Sequence, residues 1–298
     1  MSQSANDKKP IIFSDVDGTI YSNFSLKSNT KDDVCFAIDN GADFNICTGN
    51  PVEERMFLLS DTLKARYLIG SSGAQIYDLL SKKIIKSWAI SFDSLKQLIE
   101  LAKQIKCQVL FWDNEKYYYL TNDFSTVEKI SSYHFVSKDK LMNTPKLYNN
   151  EFIEPVKIEF YSTESIEDES YAKKIYDHIS RVGSVSMVQT SSNVEISPKD
   201  VNKGSAIKWL MENVYLNESI KDVMTIGDSN NDLSMMPITN YSYAMANSSQ
   251  KLLDIAHFFT SAVEQNGLGE AILDYLYRVK NIVKKYMLHN FSNGKGEK

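Results

Sequence analysis

The chain has 298 residues, 43% hydrophobic and 24% charged, which is the make-up of an ordinary globular protein whose core needs neither disulfides nor a structural metal. The three cysteines, Cys35, Cys47 and Cys107, form no Cys-x-x-Cys pair, which argues against a zinc or redox motif and for a reducing compartment. A net charge of −5 without a long basic run lacks the footprint of a nucleic-acid binder, no apolar stretch nears the ~20 residues of a membrane span, and the polar Met1–Pro10 segment lacks a signal-peptide core, so a cytoplasmic location is expected.

The first apolar run, Ile11-Ile12-Phe13, ends abruptly in polar residues, as does a short strand buried on both faces of a parallel sheet. Residues 31–40 carry Val34, Ala37 and Ile38 at helical spacing. Residues 44–47 predict a second strand, ending in Thr48-Gly49-Asn50-Pro51, and Pro51 with Glu53 and Glu54 suggests a first helical turn. Residues 67–69 predict a third strand, ending in Gly70-Ser71-Ser72-Gly73. Strand–helix alternation predicts an α/β fold with a parallel, Rossmann-like sheet. Ligands of such sheets bind beyond the carboxyl ends of the strands, where these three polar loops fall.

Residues 84–190 have another texture. Strands are expected at 84–90, 109–112, 117–120, 156–161 and 185–189, with a helix over 171–180. Asp113-Asn114-Glu115-Lys116 suits one hairpin turn, and Ser191-Ser192-Asn193 a second before a strand over 194–197. This reads as an α+β module inserted into a discontinuous core of residues 1–83 and 191–298. In the returning core, Asn202 can cap a helix from 204 to about 214. Residues 223–226 predict a strand ending in Gly227-Asp228-Ser229-Asn230-Asn231-Asp232, residues 242–245 another, and residues 269–284 a helix. The tail from His289 is expected to fray, and Lys284, Lys285, Lys295 and Lys298 are too sparse to bind nucleic acid or membrane.

Four segments can carry chemistry. Asp15 and Asp17 stand two apart at a strand end, where side chains point the same way and Gly18 permits a sharp turn. Read alone, they are a turn or an acid–base and metal site. An EF-hand is excluded, because its glycine and acidic positions hold Ile20 and Leu26. Gly227–Asp232 offers Asp228 and Asp232 after another strand, and Asp228 with Asp15 suits a magnesium ion, which prefers oxygen ligands. An EF-hand fails here too, at Leu233 and Thr239. Thr48-Gly49 suits a phosphate oxygen or, alone, a helix cap. Lys203 at a helix start can hold phosphate or balance carboxylates, or simply face solvent.

In order and placement, Asp15-Val16-Asp17-Gly18-Thr19, Thr48-Gly49, Lys203 and Gly227–Asp232 together resemble the signatures of the haloacid dehalogenase superfamily, in its Cof-like branch. The resemblance spans about residues 10–275. It takes in Ser72-Gly73-Ala74, where the family often has Asn-Gly-Ala, and Met245-Ala246-Asn247. A second departure is Asn50, where arginine often follows Thr-Gly. The long insertion suits the family's α+β cap.

The resemblance implies a Mg2+-dependent phosphatase acting on a small phosphorylated metabolite, with Asp15 as nucleophile and Asp17 as proton carrier. It also implies a metal held by Asp15, Asp228 and the Asp17 carbonyl, and a phosphoryl group held by Thr48, Gly49, Lys203 and Asn231. Asp232 would orient Lys203 or metal waters. A sugar-phosphate mutase and a non-catalytic phosphate-binding protein are the rival readings. In the cap, Phe111, Trp112 and Tyr117–Tyr119 can offer stacking surfaces or, more simply, pack across strands. Glu195, His178 and Arg181 read as surface groups.

Overall fold

The computed structural model describes residues 8–120, 145–162, 169–190 and 192–284. The expectations for the N-terminal leader before Lys8, for Ser191 and for the lysine-bearing tail beyond Lys284 lie outside them.

In chain order, β1 (Ile11–Ser14), α1 (Ser28–Asp39), β2 (Asp43–Cys47), α2 (Glu54–Leu63), β3 (Tyr67–Gly70), β4 (Gln75–Asp78) and β5 (Lys83–Ser87) come first. Then follow α3 (Phe92–Ala102), β6 (Cys107–Trp112), β7 (Tyr117–Leu120), β8 (Lys146–Leu147), β9 (Lys157–Ser162), α4 (Glu169–Ile179), β10 (Val185–Gln189) and β11 (Asn193–Pro198). The chain closes with α5 (Lys203–Asn213), β12 (Met224–Gly227), β13 (Tyr241–Ala244), α6 (Gln250–Ile255), β14 (Phe258–Phe259) and α7 (Gly267–Lys280).

Eight strands form one sheet, ordered β14-β13-β12-β1-β2-β3-β4-β5. It is parallel from β14 to β3, and β4 and β5 add an antiparallel edge. β1 is central and wholly buried because its residues alternate between two apolar layers. Ile12 joins Val34, Ala37, Leu268 and Ile272 on the face covered by α1 and α7, while Ile11 and Phe13 join Ala206, Ile207 and Leu210 of α5 on the other. The α5 start is fixed by a capping box, in which Asn202 Oδ1 accepts from the Ser205 amide and Ser205 Oγ accepts from the Asn202 amide, both at 2.9 Å. The expected turn at Pro51 is displaced: α2 starts at Glu54, with Glu53 as its cap.

Six strands form the second sheet, ordered β10-β11-β9-β6-β7-β8, antiparallel except for β7–β8. Its outer face packs Val109, Phe111, Ile158, Phe160 and Ile196 against α3 and α4. Its inner face meets the first sheet: Trp112 Nε1 donates to Ser71 Oγ at 2.9 Å, and Gln75 Nε2 donates to Asn114 Oδ1 at 2.8 Å.

The expected divisions at 83/84 and 190/191 do not coincide with the sheets. β5 pairs with β4 in the first sheet, and β11 pairs with β9 in the second. The changeover therefore lies after Ser87 and after Pro198, because a strand belongs to whichever sheet pairs with it and that partner leaves no local pattern. Helix α3 was not expected, although Ser91 caps it by accepting from the Ser94 amide.

Candidate active site

The carboxyl ends of β1, β2 and β12 lie side by side, since β1 pairs in parallel with both neighbours. The N-terminus of α5 brings Lys203 to the same edge. Lys203 is fully buried, and its ammonium lies 2.5 Å from Asp15 Oδ1, 2.5 Å from Asp232 Oδ1 and 3.2 Å from Asn231 Oδ1. Asp232 spends its other oxygen on the Asp228 and Ser229 amides, both at 3.0 Å. It thus orients Lys203 and the Gly227–Asp232 turn together.

Ligand oxygens of Asp15, Asp228 and Asp232 all lie within 4.8 Å of one another. Three carboxylates share one ammonium here, an excess of two negative charges in a buried site. Burial, and then the Asp232 charge, push the Asp15 carboxyl well above the ordinary carboxylate range against the pull of Lys203. The same two causes raise Asp228 to about 7. Burial opposes the Lys203 charge, but Asp15 and Asp232 prevail and raise it well above the ordinary lysine value. Such a set fits a hard divalent cation. Asp15 and Asp228 are the carboxylates with capacity to hold it, whereas both Asp232 oxygens are committed.

Gly18 shapes this edge. Its φ is +84°, and a Cβ there would stand 2.4 Å from Asp228 Oδ2. Only glycine takes that conformation without strain and leaves Asp228 its place. Asn247 Nδ2 donates to the Gly18 carbonyl at 2.9 Å, tying the late loop after β13 to the turn.

Asp17 does not share the Asp15 environment. Its side chain is 53% exposed. It receives a 2.6 Å hydrogen bond from Asn50 Nδ2 and pairs at 3.6 Å with the buried Arg55 guanidinium. The two carboxylates diverge because β1 ends at Ser14, so strand alternation does not carry through to Asp17. Asn50 also donates to Thr48 Oγ1 through its amide N–H at 3.1 Å and its side chain at 2.8 Å. A hydroxyl that accepts twice has its own hydrogen left to donate. Asn231 Oδ1 accepts from Lys203 and from Ser229 Oγ, which leaves Nδ2 as a donor, 3.5 Å from where a Gly49 Cβ would stand. Thr48 and Asn231 thus keep donors beside Gly49, whereas the three N–H bonds of Lys203 go to Asp15, Asp232 and Asn231.

Two residues in this region escaped the sequence reading. Arg55, on α2, has no local signal that would single it out. Lys157, on β9, is fully buried and donates to the Gly49 carbonyl at 2.8 Å, Ser72 Oγ at 2.9 Å and Glu195 Oε2 at 2.7 Å. Glu195 is therefore no surface group but part of the junction between the sheets. His178 and Arg181 remain on and after α4, away from these contacts. Among the aromatics, Phe111 stacks on Tyr118 at 5.4 Å inside the cap layer, as cross-strand packing predicts. Trp112 and Tyr117 lie on the inner face instead, packed with Leu110 and Ala74.

Comparison with known proteins agrees with this architecture. A 5-amino-6-(5-phospho-D-ribitylamino)uracil phosphatase of Bacillus subtilis, YcsE, is 23% identical over 268 residues, 88% of this chain and 94% of its own. The solved structure of the haloalkanoate-superfamily phosphatase BT1666 from Bacteroides thetaiotaomicron superposes with a TM-score of 0.73 at 21% identity, covering 92% of this chain and 98% of its own. The subclass IIB sugar phosphatase BT4131 gives 0.72 at 18% identity, covering 90% and 99%. Among the described residues no helix is long and apolar enough to cross a membrane. Residues 12–272 match the haloacid dehalogenase-like hydrolase family as a whole, and the chain, with its two-sheet fold and its four strand-end and helix-start segments gathered at one edge, belongs to that family.

Proposed function

We propose that the chain is a Mg2+-dependent phosphatase that hydrolyses a small phosphorylated metabolite (a sugar phosphate, nucleotide or phosphorylated cofactor) through an aspartyl-phosphate on Asp15. The observation that carries this reading is the buried Lys203, held between Asp15 and Asp232 beside the donors of Thr48 and Asn231. A phosphoryl group in transfer spreads its charge over three equatorial oxygens and needs converging donors around a fixed nucleophile. Both the ribityl ester named for YcsE and the sugar phosphates named for BT4131 fall in this substrate class.

In the proposed course, an Asp15 carboxylate oxygen bonds to phosphorus as the phosphorus–oxygen bond to the leaving alcohol breaks. Asp17 gives that oxygen a proton. Water then attacks phosphorus, Asp17 takes its proton, the bond to Asp15 breaks, and inorganic phosphate leaves. Lys203 fixes the orientation of Asp15, while Thr48, the Gly49 segment and Asn231 bind the phosphoryl oxygens. The Asp15 and Asp228 side chains and the Asp17 carbonyl would hold Mg2+, whose charge offsets the repulsion between carboxylate and phosphate.

The test is release of inorganic phosphate from phenyl phosphate and from a panel of phosphorylated metabolites, in Mg2+ and in chelator. Absence of release from every ester would overturn the proposal. Conversion of a hexose 1-phosphate to its 6-phosphate without free phosphate would favour the mutase instead.

A further inference from the structure

The inner face of the second sheet carries a buried charge cluster that phosphoryl transfer does not use. Glu159 on β9 and Glu195 on β11 stand directly opposite one another in the antiparallel register. Like charges in that position repel. Lys157 resolves the conflict, lying 3.1 Å from Glu159 Oε1 and 2.7 Å from Glu195 Oε2. Burial works against its charge, yet the two carboxylates raise it above the ordinary lysine value. Glu159 also accepts from the Tyr161 hydroxyl at 2.5 Å and is itself buried.

Glu195 differs from Glu159 in where it ends. Its side chain is 14% exposed. Oε2 accepts from Lys157 and, at 2.8 Å, from Ser72 Oγ. Oε1 has no donor among the described residues, and it lies 3.5 Å from where a Gly49 Cβ would stand. Asn231 Nδ2 lies 3.5 Å from that same point. A carboxylate oxygen with spare lone pairs therefore faces the space beside the phosphoryl donors, on the side occupied by the second sheet.

We infer that Glu195 is a specificity-determining residue that accepts a hydrogen bond from a hydroxyl of the leaving group, with Lys157 as the positioning residue that holds it there. The inference rests on the phosphatase reading above. It selects esters of polyhydroxy alcohols over alkyl esters of equal length. It also disfavours a second phosphate beside the ester, because Lys157, Glu159 and Glu195 together carry one excess negative charge.

The experiment compares kcat/KM for sorbitol 6-phosphate with that for n-hexyl phosphate, in the wild type and in Glu195→Gln and Glu195→Ala. The wild type should prefer the polyol ester by about tenfold or more, since a site built to bond a hydroxyl rejects the analogue that lacks it. Glu195→Ala should lose most of that preference. In Glu195→Gln the amide oxygen must turn to Lys157 and an N–H2 group meets the substrate; a hydroxyl can accept from it, so this variant should keep part of the preference. Thermal melts establish that each variant is folded. A wild type without preference, or a ratio preserved in Glu195→Ala, would overturn the inference while leaving the phosphatase reading intact. No phosphate release from either ester or from phenyl phosphate would overturn that reading and the inference with it.

Discussion

Replacing Lys203 by methionine keeps most of its volume and removes its charge. Asp15 and Asp232, each 2.5 Å from the ammonium, then face one another and Asp228 without a counter-charge. Breaking a buried ion pair by removing one partner costs about 3–5 kcal/mol. For a chain of this size that corresponds to a loss of roughly 6–15 °C in melting temperature in chelator. The pH dependence identifies the cause. The Lys203 folded-state pKa is raised, so in the wild type its stabilisation is complete below the ordinary lysine value and is lost only as pH rises through the folded one. In the variant the carboxylates must instead take up protons. Burial already raises Asp15 and Asp228, so the folded variant keeps protons that the unfolded chain releases near its ordinary carboxylate values. Its stability therefore falls as pH rises, and the deficit against the wild type should be small at about pH 5 and full at about pH 8. Adding Asp232→Asn removes one of the stranded charges while its oxygen can still accept from the Asp228 and Ser229 amides. The double variant should recover at least half of the loss. Melting curves in chelator at both pH values decide the matter. A loss under about 2 °C, or an equal loss at the two pH values, would refute the assignment of Lys203 as the counter-charge of this site.

Asp15→Asn should abolish phosphate release while leaving the melting temperature within a few degrees; turnover by the folded variant would remove the nucleophile assignment. Mg2+ affinity, read by calorimetry, should weaken as pH falls through about 7, where Asp228 takes up its proton; a flat profile between pH 6 and 8 would exclude Asp228 as a ligand. Gly18→Ala should cost about 1–2 kcal/mol for its left-handed backbone and weaken Mg2+ binding by about tenfold, because its Cβ would meet Asp228 Oδ2 at 2.4 Å; unchanged affinity would separate Gly18 from the metal site. Lys157→Met should destabilise the chain by about 3–5 kcal/mol, since Glu159 and Glu195 would then face each other unscreened; a melting temperature equal to the wild type would show that their repulsion is relieved otherwise.

The amino-acid sequence by itself determined the reacting edge. Short apolar runs that stop at Asp15, Thr48 and Asp228 can pair in parallel only with their polar ends together, so the strand order places those residues side by side. The Asn202 cap likewise sets the α5 start and with it Lys203. Tertiary structure decided the rest. Asp17 leaves the Asp15 pocket for Asn50 and Arg55 because the strand ends before it. β5 and β11 change sheets relative to expectation because pairing partners are distant in sequence. Lys157 and Glu195 sit in alternating strands whose polar face would read the same against water. Only the docking of the second sheet on Gly49 and Ser72 turns that face into a buried wall of the site.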